Sequence, residues 1–124
     1  MVDRQTALEW VAAYERAWRA PGTATLADVF ADDITYRPSP WVEPLHGLDA
    51  LGAFWESERT GSDESFRMTS ELVAVDGPTA VIRIEVHYGD GEQWRDLWIV
   101  AIDAEGRCRT FEEWPFAPEQ PDGH

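Results

Sequence analysis

After residue 62 the chain takes up a strict two-residue period. The stretches 66–75, 79–88, 93–102 and 107–115 alternate apolar with polar residues. Successive side chains of a strand point to opposite faces, so each run can bury one face and wet the other. The separators "DGPT", "GDG" and "DAEG" are tight-turn sequences. Four strands joined this closely form an antiparallel meander, and no other feature restricts the fold as much.

The N-terminal half follows a helical period instead. Trp10, Tyr14 and Trp18 recur every four residues with Ala7, Val11 and Ala17 beside them, which makes one apolar stripe. Thr6 and Glu9 have capping-box spacing, and Pro21-Gly22 ends the run. A second, short helix is expected over "LADVF" with Thr25 as its cap. A third is expected from about Leu48 to Arg59, after Gly47, with Leu51, Phe54 and Trp55 as its stripe. Between them "DITYR" reads as a short strand ended by Pro38 and Pro40. Helices first and a meander after imply an α+β fold, with the helices on one face of a curved sheet. The expected organisation is one domain over 1–116 and a proline-rich polar tail, "APEQPDGH", over 117–124.

Composition removes several function classes. At 124 residues, a single domain buries about two-thirds of its unfolded surface. Ten basic against twenty-four acidic residues give a net charge of −14, which opposes binding to nucleic acid and to anionic membranes. Cys108 is alone, so neither an internal disulfide nor a cysteine metal framework is expected. His46, His87 and His124 lack metal-ligand spacing, and His46 and His87 read as ordinary strand or loop histidines. No serine sits in a Gly-x-Ser-x-Gly elbow, and there is no Gly-rich phosphate cradle. The start "MVDRQTALEW" has no signal-peptide core, and no apolar run nears the ~18 residues of a membrane span. The expectation is a soluble cytoplasmic protein without metal or cofactor.

The segments "YERAW", "LADVFADDITYRPSP" and "HGLDALGAFW", followed by a meander ending in "FEEW", resemble the SnoaL-like branch of the NTF2-like superfamily. That superfamily includes ketosteroid isomerases, polyketide cyclases and limonene-epoxide hydrolases. The resemblance implies a cone-shaped curved antiparallel sheet, wrapped by N-terminal helices around one apolar pocket, usually in a homodimer. Tyr14 matches the helix-1 tyrosine that donates a hydrogen bond to substrate oxygen in the isomerases. Their aspartate after the first strand has no counterpart near Arg37-Pro38-Ser39, and their second aspartate falls near Trp98. The isomerase mechanism itself is therefore not implied. The hydrolases' Arg-x-Asp pair and last-strand Asp correspond loosely to Arg83, Glu85 and Glu113.

In "RTFEEWPF" the adjacent Glu112 and Glu113 must face opposite ways, and one of them shares the face of Phe111. Pairing Ile102 with Arg107 across the last turn sets residue 98 opposite 111 and residue 96 opposite 113. Asp96, Trp98, Phe111 and Glu113 then share one face. Two opposed carboxylates repel, so one takes up a proton near neutrality, a starting point for general acid–base work. A three-residue loop Gly89-Asp90-Gly91 sets Ile84 opposite Asp96 and Glu85 opposite Arg95. A two-residue Asp90-Gly91 turn sets Glu85 opposite Asp96 instead, with Arg83 and His87 alongside. The first buries the apolar face and is favoured; Asp96 and Glu113 share a face under both.

The candidate catalytic residues are thus Glu113, Asp96 and Tyr14. The candidate substrate wall is Trp18, Phe30, Tyr36, Trp41, Phe54, Ile84, Trp98 and Phe111, residues that more often simply fill a core. Two readings stay open. One is a cofactor-free acid–base enzyme of isomerase, cyclase or epoxide-hydrolase type, acting on a small hydrophobic oxygenated metabolite. The other is a non-catalytic binding or interaction domain. Leu97, Ile99 and Trp114 on the outer sheet face fit a homodimer contact in either case.

Overall fold

The computed structural model describes residues 2–58 and 65–121. The end of the third helix expected at Arg59, and His124 of the tail, lie outside the described residues. Three helices, α1 (Arg4–Arg19), α2 (Leu26–Val29) and α3 (Leu48–Glu58), accompany six strands. The strands are β1 (Phe30–Arg37), β2 (Leu45–His46), β3 (Phe66–Asp76), β4 (Thr79–Tyr88), β5 (Gln93–Ile102) and β6 (Cys108–Phe116). They form one curved sheet in the order β2-β1-β6-β5-β4-β3. The meander is antiparallel throughout, but β1 joins β6 in parallel, and the two-residue β2 adds an edge. The α+β architecture matches the NTF2-like cone, with helices packed on one sheet face.

Helix α1 begins before the expected cap. Asp3, not Thr6, is the N-cap, its carboxylate accepting from the Thr6 N–H at 2.7 Å. Thr6 therefore lies inside the first turn. The helix ends where expected, with Ala20 already extended ahead of Pro21, which disfavours helical geometry in the residue before it. Thr25 precedes α2 but makes no side-chain capping bond. The α1 stripe packs on the inner face of the sheet: Trp10 and Tyr14 meet Trp98 at ring-centroid distances of 6.1 and 4.4 Å. The Trp10 indole N–H donates to the buried Val29 carbonyl at 2.9 Å, tying α1 to α2. From α3, Leu51 and Trp55 are buried, while Phe54 is only half-buried. No helix among the described residues is long and apolar enough to cross a membrane.

The β4–β5 turn takes the three-residue form. Gly91 has φ +94°, the left-handed geometry that glycine adopts without steric penalty, and the Tyr88 N–H donates to the Glu92 carbonyl at 2.9 Å. Ile84 accordingly faces Asp96 and Glu85 faces Arg95. The β5–β6 register departs from expectation. Asp103 rather than Ile102 meets Arg107, and the Asp103 carboxylate caps the turn by accepting from the N–H groups of Glu105 and Arg107 at 2.9 and 3.0 Å. Ile102 then faces Cys108, Ala101 faces Thr110, and Arg109 is the extra residue of a bulge. Trp98 therefore sits opposite Glu113, and Val100 opposite Phe111. The total slip is two residues, a whole pleat, so every side chain keeps its expected face.

Candidate functional site

Inner-face side chains of β4, β5 and β6 converge with α1 and α3 on a cavity of ≈ 430 Å³. Tyr14, Tyr36, Asp96, Trp98 and Glu113 line its polar depth. Trp18, Phe54, Phe66, Met68 and Val86 supply apolar wall, and Glu58, Tyr88, Glu92 and Trp94 complete it. The "FEEW" pair divides as the strand period requires. Glu112 turns to the outer face and accepts from the Trp114 indole N–H at 2.6 Å, whereas Glu113 enters the cavity.

Asp96 and Glu113 are diagonal rather than direct cross-strand neighbours, and their carboxyls still meet. Asp96 is 8% exposed and Glu113 half-buried. Burial raises Glu113 well above the usual carboxylate range, and contact with Asp96 raises it further. Burial also raises Asp96, while its hydrogen bond with Glu113 works the other way and favours the Asp96 anion. Two buried carboxyls in contact do not both ionise readily, so the pair holds one proton between them. The Trp98 indole N–H lies near both carboxyls and favours their anions, but closes a hydrogen bond to neither. Asp96 Oδ1 and Trp98 Nε1 are left as one acceptor and one donor, both buried and without a partner. Unpaired buried polar atoms are costly.

Tyr14 and Tyr36 hydrogen-bond each other through their hydroxyls, and burial pushes both phenols well up, so each remains a neutral donor. The Phe111 ring stacks on Tyr36 at 4.5 Å and 2°, which fixes the phenol's direction.

The structure brings together Tyr14, Trp18, Tyr36, Phe54, Asp96, Trp98 and Glu113 of the sequence-derived candidates. Phe30, Ile84 and Phe111 face the same way but are fully buried behind the lining. Trp41 is 98% exposed on the loop after β1, although its neighbours Pro38 and Val42 do reach the cavity. Arg83 and Glu85 lie on the outer face, paired with Glu71 and, at 3.0 Å, Arg95, so the hydrolase-type Arg-x-Glu arrangement does not form. Cys108 is buried, its thiol donating to the Thr110 carbonyl at 3.0 Å. Tyr88, Glu92, Trp94 and Glu58 were not anticipated. The two-residue recurrence of Glu92, Trp94 and Asp96 was the available signal for two of them.

Residues 11–112 match the SnoaL-like domain family. The chain belongs to that family. Among curated proteins, none matches in sequence. Solved structures agree in fold at low identity, which speaks to architecture alone. SalBIII, described as an epoxide hydrolase/cyclase-like enzyme in pyran ring formation in the polyether salinomycin, superposes with a TM-score of 0.75 at 16% identity, over 94% of this chain and 95% of its own. A protein assigned as a ketosteroid isomerase from Kribbella flavida gives 0.65 at 22% identity, over 91% and 76%. One assigned as a polyketide cyclase from Sinorhizobium meliloti gives 0.64 at 21%, over 85% and 93%. With these structures the SnoaL-like domain shares its fold.

Proposed function

We propose that this SnoaL-like protein is a cofactor-free acid–base enzyme that opens an epoxide or comparable strained ether on a small, largely apolar molecule. The observation carrying this reading is the Asp96–Glu113 pair, holding one proton between them at the wall of an aromatic cavity. Opening an epoxide by a hydroxyl requires one proton to be given and one taken. The Asp96 carboxylate takes the proton of the attacking hydroxyl, which belongs to water or to the substrate itself. The new C–O bond forms as the ring C–O bond breaks, and Glu113 delivers its proton to the departing oxygen. The pair ends with its single proton on Asp96, and transfer across the Asp96–Glu113 hydrogen bond resets it. The tyrosine pair supplies hydrogen bonds to the substrate oxygens. The epoxide hydrolase/cyclase-like description of SalBIII supports this choice among acid–base reactions. The outer sheet face, with Leu97 and Ile99 half-buried and Trp114 and Phe116 exposed, is proposed as a homodimer contact.

Two measurements test the reading. Carbon-detected NMR of the side-chain carboxyls should show Glu113 titrating above the ordinary range, with an inflection shared by Asp96. Turnover of a panel of epoxides, with and without an internal hydroxyl, should fall at least a hundredfold in Glu113→Gln and in Asp96→Asn. A Glu113 that titrates as a model glutamate would remove the shared proton and leave a binding protein.

A further inference from the structure

The cavity wall has one sign of charge. Glu58, Glu92, Asp96 and Glu113 are its ionisable carboxyls, and no Lys, Arg or His among the described residues lines it. Two guanidiniums contact lining residues without lining the cavity themselves. Arg19 is salt-bridged to Glu15 at 2.8 Å and lies over the Phe66 ring at 4.0 Å, and Arg37 donates to the Val42 carbonyl at 2.8 Å. The carboxyls are also ordered in space. Glu92, Trp94 and Asp96 recur at every second residue on one strand face, and span about 13 Å at the rise of a strand. Trp94 is held by its indole N–H donating to Glu92 at 2.8 Å, and Tyr88 and Phe66, 5.7 Å apart, stand across from them. The exposed Glu58 and Glu92 mark the open end, while the partnerless Asp96 Oδ1 and Trp98 Nε1 mark the depth.

We infer that the substrate is a cation: an amine or quaternary ammonium whose charged nitrogen sits between Glu92, Trp94, Tyr88 and Glu58, with its reacting oxygen at Asp96 and Trp98. Aromatic faces attract a desolvated cation, and the flanking carboxylates add to that attraction. An anionic substrate would meet four lining carboxyls and no lining cation among the described residues. The net charge of −14 extends the same preference beyond the cavity, drawing cations toward the protein and repelling anions. A cationic nitrogen also offsets the negative charge that the carboxyl pair keeps in a dry wall, which nothing on the described lining neutralises. The inference rests on the acid–base reading of the same cavity and adds its substrate class.

The test uses two probes of equal shape, phenyltrimethylammonium and tert-butylbenzene, titrated into the whole chain and followed by NMR. The cation is expected to bind at least tenfold more tightly and to shift the Trp94 indole and Glu92 signals. Its advantage should shrink severalfold in Glu92→Gln and Glu58→Gln, and with added salt, while tert-butylbenzene binding stays the same. Equal affinity for the two probes, absence of cation shifts at Trp94 and Glu92, or an advantage untouched by both substitutions would each overturn the inference. The carboxyl titration in the same samples separates the two levels of failure. A raised Glu113 without cation preference defeats only the substrate class, whereas an ordinary Glu113 defeats the acid–base reading beneath it.

Discussion

Replacing Glu113 by glutamine should make the protein more stable at neutral pH, by an amount that grows with pH. In the unfolded chain a glutamate titrates near ~4.3, whereas burial and Asp96 raise Glu113 well above that in the fold. The native state therefore holds this proton more tightly than the unfolded state does. Stability from the group is complete below the unfolded value and drains as pH climbs toward the native one. While the native side chain keeps its proton and the unfolded one has lost it, the slope is about 1.4 kcal/mol per pH unit. Glu113→Gln has no proton to lose, so its advantage over the wild type should grow from pH 5 to pH 7. Asp96 is raised by its own burial, which Glu113→Gln leaves in place. Urea unfolding followed by tryptophan fluorescence at pH 5, 6 and 7 measures the difference directly. Glu112→Gln, on the outer face, is the reference for loss of one negative charge. A Glu113→Gln advantage that is flat or falls with pH would refute the claim that this carboxyl is desolvated in the native state.

Other consequences are equally open to measurement. Phe111, 1% exposed, stacked on Tyr36 and tilted against Trp98, should cost about 3–5 kcal/mol as Phe111→Ala in chemical denaturation, because the ring leaves a cavity the helices cannot close. Gly91→Ala meets no atom within 4 Å of its new Cβ, so the loss should be the backbone term alone, about 1–2 kcal/mol, with the β4–β5 register unchanged by NMR. Trp114→Ser should shift the sedimentation coefficient from dimer to monomer while leaving the cavity tyrosines' signals in place, given that Trp114 is 39% exposed on the outer face.

Much of this fold is legible in the sequence because turn chemistry and strand period are local. Asp, Gly and Pro between the alternating runs locate the β3–β6 boundaries to within a residue or so. The assignment of Asp96 and Glu113 to one face survives because the Asp103-capped turn and the Arg109 bulge together shift the register by two residues. A shift of one would have turned Glu113 outward. What is not legible depends on distance. Phe30, Ile84 and Phe111 face inward exactly as far as a period can specify, but depth in the core depends on where α1 and α3 land. Trp41 was placed on the wall by its chemistry alone, and a loop residue has no period to locate it. The Thr6–Glu9 spacing suggested a cap that Asp3 provides one turn earlier, since both satisfy the same free N–H groups.

The parallel pairing of β1 with β6 has a consequence in time. It joins strands from opposite halves of the chain, and the Arg109–Asp33 ion pair at 2.6 Å bridges 76 residues. During synthesis the parallel edge of β1 must therefore wait for its partner until β6 has left the ribosome. The same strand carries Glu113, so the sheet closes and the carboxyl pair forms in one late event. Any nascent chain short of β6 lacks a core and a proton-sharing site alike, and it is in that interval that chaperones would meet this protein.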